Sequence, residues 1–261
     1  MPPDQVLGRD RLIRKLWQRL EQQGVLLLAE RRIGKTSVLK KMEADPPDGW
    51  VARYVVVESV RNPATFVERI LDATSDLLPK GIGLRQRVAG VFDRLGGTKV
   101  GDWELPEVKT LWRSLLLDLL EGLSKHGKRV AILIDEFPSA VGNIRQDAGA
   151  VTAMELLDTL RTWQLAEQAA QVRLLYTGSI GLHVVLSELA DAGYRGAPTN
   201  MMAKQSLGPL EGKAALELAR RGLLALERDG DITFESDQLD GAAVAVAEKT
   251  DALPFYVDQL I

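Results

Sequence analysis

At 261 residues and 46% apolar content, the chain is long enough to bury one large core, or a core with a smaller attached domain. Its 33 basic and 36 acidic residues leave a formal charge of −3, so no overall basic field draws it to nucleic acid or to an anionic membrane. With no cysteine there is no disulfide, thiol catalysis or thiolate metal site, and two histidines, His126 and His183, are too few for an imidazole site, so any metal is expected on oxygen ligands.

The opening MPPDQVLGRD lacks the charged start and apolar run of a signal peptide, and no apolar stretch approaches the roughly 20 residues of a membrane span. A cytoplasmic protein without membrane contact is expected. From Arg9 to Gln22, Leu12, Ile13, Leu16, Trp17 and Leu20 fall at helical spacing, with Arg11, Arg14, Lys15 and Arg19 on the opposite, solvated side. Val25 to Ala29 is a short apolar run without alternation, as expected of a strand covered on both faces. A helix from Lys35 to about Glu43 follows directly. Val51 to Val57 reads as a second strand by its β-branched content, and a second helix runs from Asn62-Pro63 to Leu78.

Between Pro79 and Pro106 the pattern breaks into glycines and scattered basic residues, which reads as an insertion or mobile loop. Helical spacing resumes from Val108 to Leu120. A third strand, Val130 to Ile134, is followed by a helix through Met154 to Ala169, then by a fourth strand, Val172 to Tyr176. After a helix around Leu182 to Leu189, a weak fifth strand is placed near Lys204 to Leu207. Strands alternating with helices imply right-handed crossovers and a parallel sheet with helices on both faces, an α/β core. From Gly208-Pro209 onward the strand signals stop; Glu211 to Glu227 and Ala242 to Glu248 read as helices of a small second domain. The expected division is 1–207 for the core, with 79–106 inserted, and 208–261 for the helical domain. The apolar helix-like ending, Pro254 to Ile261, has no cap or polar tail, and more chain or a partner is expected to cover it.

The segment Ala29-Glu30-Arg31-Arg32-Ile33-Gly34-Lys35-Thr36-Ser37 joins the first strand to the helix after it, where a phosphate-binding loop belongs. Backbone N–H groups turned inward around a β-phosphate need a small residue where chain and phosphate approach, and Gly34 supplies it. Lys35 brings a point charge to the β- and γ-oxygens, and the Thr36 hydroxyl becomes a Mg²⁺ ligand at the helix N-terminus. The usual first glycine is Ala29 here, so the turn must use ordinary dihedrals or carry some strain. A hundred residues on, the third strand ends in Asp135 and Glu136, at the sheet edge where open α/β sheets bind ligands. Asp135 is expected to hold Mg²⁺ and Glu136 to accept a proton from the water that attacks the γ-phosphate. The fourth strand ends at the same edge in Thr177-Gly178-Ser179, and a hydroxyl of Thr177 or Ser179 is placed to reach that phosphate or water.

These residues resemble prokaryotic AAA+/STAND-type ATPases, especially the archaeal-type ATPase group distantly related to origin-recognition ATPases. Val6-Leu7-Gly8-Arg9 is similar to the family's V-G-R motif, whose backbone helps bind adenine. Glu30 to Ser37 matches its E-R-R-I-G-K-T-S Walker A loop, and Leu133 to Pro138 its Walker B. Thr177 to Leu182 resembles the sensor-1 segment, with Ser179 in the sensor place, and Leu253-Pro254-Phe255-Tyr256 the lid motif near the adenine, with Ala252 where a glycine is usual. The resemblance implies ATP or ADP with Mg²⁺, a three-layer P-loop core with a five-stranded sheet ordered 5-1-4-3-2, and a helical lid. It also implies an arginine completing the site from a neighbouring subunit or from the same chain, for which Arg195 is the nearest candidate. Three functions compete: an ATPase switch that couples nucleotide state to an effector or a further domain, a nucleic-acid-handling ATPase using the basic residues of 79–106, and a nucleotide-held scaffold with negligible turnover. Self-association fits each of them.

Overall fold

The computed structural model describes residues 3–79, 106–178, 181–230, 233–235 and 238–260. Apart from its two ends, the segment read as an insertion lies outside them. Five parallel strands, β1 Gly24–Leu28, β2 Trp50–Val56, β3 Arg129–Asp135, β4 Val172–Thr177 and β5 Met202–Ser206, form one sheet in the order β2-β3-β4-β1-β5. The same order read from the other edge is 5-1-4-3-2, the one that the resemblance implies. Before, between and after them run α1 Asp10–Leu20, α2 Lys35–Ala44, α3 Pro63–Thr74, α4 Pro106–Ser124, α5 Phe137–Asp147, α6 Ala150–Leu165, α7 Leu182–Asp191, α8 Gly212–Asp229, α9 Gln238–Lys249 and α10 Pro254–Leu260.

Side-chain alternation along the strands divides the core into two. Val130, Ile132 and Ile134 of β3 face a cluster built with α3 to α7, whereas Ala131 and Leu133 face the cluster built with α1 and α2. Because successive residues of a strand point to opposite faces, Asp135 lies on the α1/α2 side, and so does Tyr54 of β2 beside its partner Leu133. This parity decides which acid of the Asp135-Glu136 pair turns toward the phosphate loop. On α1 the buried residues are Ile13, Leu16, Trp17 and Leu20, the stripe expected from the spacing, and each such side chain contributes about 1.5–3 kcal/mol by leaving water. Helix α3 starts where Asn62-Pro63 predicts: the Asn62 side chain accepts from Thr65 N–H at 2.9 Å and proline takes the first turn.

Two expectations are corrected. The helix read through Met154 to Ala169 is α6, which starts earlier, at Ala150, and ends at Leu165 before a short 3-10 turn over Glu167–Ala170; a further helix, α5, precedes it and is separated from it at Gly149, with φ 94°. Pro138 sits in the first turn of α5, where its missing N–H is harmless. The fifth strand starts two residues earlier than read and ends one earlier, at Met202–Ser206; only its Met202 and Ala203 are buried and the rest of this edge strand is polar, which leaves a weak signal. The last three helices share a separate hydrophobic cluster containing Leu210, Leu218, Leu223, Leu239 and Val257. Leu7 from the N-terminal segment packs into the same cluster. Among the described residues no helix is long and apolar enough to cross a membrane.

Candidate functional site

The loop from Ala29 to Gly34 leaves the C-terminal end of β1 and enters α2 at Lys35. Its left-handed residues are Arg32 at φ 65° and Gly34 at φ 93°, whereas Ala29 carries no positive φ. The loop therefore makes its turn without the usual first glycine, by moving the strained position to Arg32. Gly34 is the N-cap of α2, and the first-turn N–H groups that follow have no intrahelical acceptor, so they point at whatever anion occupies the loop.

Lys35 is 6% exposed, and its ammonium donates to the carbonyls of Glu30 at 2.5 Å and Ala29 at 3.3 Å. Burial holds its pKa below the usual lysine range, against the opposing pull of Glu136 and Asp135. The Thr36 hydroxyl donates to Asp135 Oδ2 at 2.7 Å, which joins the two halves of the predicted site across 99 residues of sequence. Tyr54 donates to the same oxygen at 3.1 Å. Burial and the neighbouring Asp135 carboxylate push the Tyr54 phenol well above its ordinary pKa, so it stays a donor. Sequence reading missed Tyr54; the available signal was its parity with Asp135 on the adjacent strand.

Glu136 stands at the N-cap of α5 in the left-handed region, φ 59° and ψ 32°, a conformation costing a non-glycine residue about 1–2 kcal/mol. Its N–H donates to Asp135 Oδ1 at 3.1 Å, and Ser139 donates to its Oε2 at 3.1 Å. The bend aims its side chain at a cavity of about 430 Å³ that Arg31, Arg32, Ile33, Gly34, Lys35, Thr36 and Ser37 also line. Apart from Arg9, the rest of the lining is apolar: Val6, Leu7, Pro254 and Phe255, which the motifs mark, with Leu210 and Leu218, which were not singled out. Lys41 fixes Val6 in place by donating to its carbonyl at 3.1 Å and to Asp10 at 2.7 Å.

Arg9 lines the cavity and does more than the predicted backbone contact. It is buried, donating to the Ile33 carbonyl at 3.1 Å and to the Pro209 carbonyl at 3.2 Å, so one side chain ties the phosphate loop to the segment entering α8. Gly8 does not line the cavity. It has φ 66°, and a Cβ there would lie 2.4 Å from Ala214 Cβ, so glycine lets the N-terminal segment and α8 meet. On the other side of the loop, the Arg32 guanidinium lies 4.4 Å from the Phe255 ring centroid and 5.7 Å from that of Tyr256, the pair that opens α10. Ala252, in the place of the motif glycine, adopts φ 55° itself and accepts from Leu210 N–H at 3.0 Å.

Three predicted positions stand apart. Ser179 lies outside the described residues. Thr177, its alternative, is buried and donates to the Leu27 carbonyl at 3.1 Å, an inter-strand bond. Arg195 is exposed in the connection from α7 to β5; since α7 runs from the C-terminal edge of the sheet back to its N-terminal edge, this is the edge opposite the phosphate loop. It does not line the cavity of its own chain.

Among the described residues no cluster of three or more His, Cys, Asp or Glu could hold a metal alone. The donors beside the loop, one hydroxyl and one carboxylate, are all oxygen and suit Mg²⁺, which commonly binds through one or two carboxylates together with substrate phosphates.

No protein-family model matches the sequence, and no curated protein does. Among solved structures, the chain is similar to the Walker-type ATPase paby2304 of Pyrococcus abyssi, at 17% identity and a TM-score of 0.62, over 97% of this chain and 66% of that one. It is also similar to the ORC2 protein of Aeropyrum pernix, solved as ADPNP–ADP complexes, at 18% identity and a TM-score of 0.50, over 96% of this chain and 65% of that one. The chain thus spans just under two thirds of either protein. With the sheet order and the position of the loop after β1, these likenesses establish the fold: a three-layer α/β P-loop ATPase fold of the AAA+ kind, followed by a small helical unit.

Proposed function

We propose that this chain binds ATP with Mg²⁺, hydrolyses it, and uses the nucleotide state to move its C-terminal helices as a lid acting on an effector, in the manner of a STAND-type switch. The observation that carries the proposal is one cavity lined both by the cationic, carboxylate-flanked loop and by apolar side chains. A nucleotide offers matching surfaces in its phosphates and its base. Lys35 would leave the Ala29 and Glu30 carbonyls for the β- and γ-oxygens, and Thr36 with Asp135 would hold Mg²⁺. When bound, that ion neutralises charge on the phosphates. Glu136 accepts the proton of the attacking water as its oxygen bonds to the γ-phosphorus and the bond to the β-bridging oxygen breaks, releasing ADP. Adenine would lie against Val6, Leu7, Leu210 and Pro254. Arg195, remote from its own site, joins this scheme only from a second copy of the chain.

The proposed lid rests on two contacts that bracket the loop, Arg9 to Pro209 and Arg32 to Phe255 and Tyr256. A change at the γ-phosphate position is felt by both. In a Glu136→Gln variant, where ATP persists, ATP with Mg²⁺ should protect amides of residues 208–260 from hydrogen exchange more than ADP does. Identical protection in the two states would rule the lid out as the moving part.

Tyr54 tests the metal assignment separately. Tyr54→Phe removes a hydrogen bond that orients Asp135 while keeping the ring, so the Mg²⁺ concentration for half-maximal ADP binding should rise by about tenfold, with metal-free ADP binding unchanged. An unaltered Mg²⁺ dependence would show that Asp135 needs no such orientation.

A further inference from the structure

Helix α1 carries Arg11, Arg14, Lys15 and Gln18 on its exposed side, where they form one wall of a groove of about 580 Å³. The opposite wall is the segment Ser206 to Glu211 that follows β5. Residues three and four apart on a helix are neighbours, so Arg11, Arg14 and Lys15 present a continuous cationic strip. Among the described residues none of the three makes a hydrogen bond or an ion pair; Arg14 feels the charge of Asp10, but that carboxylate is paired with Lys41 at 2.7 Å. The strip continues to Arg19, which donates to the Lys204 carbonyl and so stands beside that exposed lysine. Against these cations the groove holds one acid, Glu211, whose charge acts on Arg9. A chain with a net charge of −3 thus gathers unpaired positive charge in one concave place.

The lining also says what kind of partner fits. It contains no aromatic side chain, and its apolar residues are Leu12, Leu207 and Pro209. Protein–protein interfaces are depleted in charge at their cores and anchored by aromatic residues, the opposite of this composition. Surfaces that track a phosphodiester backbone are strongly positive and depend on charge rather than on apolar anchors. We propose that the groove between α1 and the 206–211 segment binds the phosphate backbone of a nucleic acid without reading its sequence. The site is built from other residues than those of the nucleotide cavity, Arg9 excepted, and the proposal does not rest on nucleotide turnover. Arg9 lines both spaces and holds Pro209, so the groove shares a wall with the machinery beside it.

The test is fluorescence anisotropy with a labelled mixed-sequence 30-base-pair DNA duplex, the corresponding single strand and an RNA of the same length, at 50–200 mM salt. The wild-type chain should bind at least one of them, and the tightest of the three identifies the source of the phosphates. For a duplex, the Arg11→Ala/Arg14→Ala/Lys15→Ala variant should lose roughly 10- to 100-fold in affinity at 50 mM salt, and its slope of log affinity against log salt should shrink by about 2–3. A control variant, Arg69→Ala/Arg228→Ala/Lys249→Ala, removes the same charge from exposed positions elsewhere and should lose far less. Fluorescent ADP binding and the thermal melting curve, unchanged in both variants, show that neither result comes from misfolding or from the nucleotide site. Three results would each overturn the proposal: no binding by the wild type, which would leave the groove to an acidic protein surface; unchanged affinity and slope in the groove variant; or equal losses in the control.

Discussion

Lys35→Ala should weaken ATP binding by roughly 10- to 100-fold, the worth of one charged hydrogen bond at about 1.5–3 kcal/mol, whereas Glu136→Gln should leave ATP bound and slow its hydrolysis by about 10²–10⁴-fold. The two side chains line one cavity but meet the reaction at different moments. Lys35 is a buried cation held between the Ala29 and Glu30 carbonyls, and moving it onto phosphate oxygens exchanges neutral acceptors for charged ones in the ground state. Glu136 is held at the start of α5 by Ser139 and by its own N–H on Asp135 Oδ1, not on the Oδ2 that Thr36 bonds, and it lines the cavity. A group placed there acts on attacking water, and glutamine keeps its shape while removing its basicity. Isothermal titration with a non-hydrolysable analogue, beside single-turnover hydrolysis, separates the two effects. Equal loss of binding in both variants would mean that Glu136 contacts the ground-state nucleotide and is not the base.

What the sequence made legible follows from how local each signal is. Gly34-Lys35-Thr36 lies within one turn of chain between a buried strand and a helix, so its position and its nearness to Asp135 could be anticipated, and the 2.7 Å contact follows from strand parity. Tyr54 is invisible by that route: it joins the site through sheet register, with β2 beside β3, and no motif marks it. The apolar lining of the cavity was half legible. Val6, Leu7 and Pro254 come from short motifs, whereas Leu210 and Leu218 are ordinary helix-facing residues until α8 folds over the loop. The left-handed turn at Arg32 was not foreseen either: of the two options left by the missing first glycine, Ala29 takes ordinary dihedrals, and the positive φ falls three residues later. Helix α5 was obscured by Pro138 and Gly142, both weak helix formers, in a stretch whose helicity is supplied by burial of Phe137, Val141 and Ile144.

Phe137→Ala should destabilise the fold by about 3–5 kcal/mol, a large share of a typical total of about 5–15. Phe137 is wholly buried, stacked on Tyr176 with centroids 4.1 Å apart and edge-on to Phe66 at 6.1 Å. It therefore pins the first turn of α5 to β4 and α3 at once. Truncation leaves a cavity beside the Tyr176 hydroxyl, which is buried and makes no hydrogen bond among the described residues. That one polar partner is fewer than the roughly two to four a buried water needs, so the cavity is expected to stay empty and the loss to go uncompensated. Phe137→Leu keeps most of the volume and should cost far less, so urea unfolding of the pair separates cavity from surface effects through a shift in midpoint at constant slope. The consequence for chemistry follows from adjacency. Glu136 holds a left-handed backbone costing about 1–2 kcal/mol, and its restraints are the cap bonds behind it and the anchored ring ahead. Once the ring is gone, Glu136 can relax to an ordinary conformation and swing its carboxylate out of the cavity. Below its melting temperature, Phe137→Ala should therefore bind ATP normally, since Lys35 and Thr36 are untouched, yet hydrolyse it more slowly than Phe137→Leu does. Wild-type turnover in the folded Phe137→Ala protein would show that the bend at Glu136 is set by Asp135 and Ser139 alone.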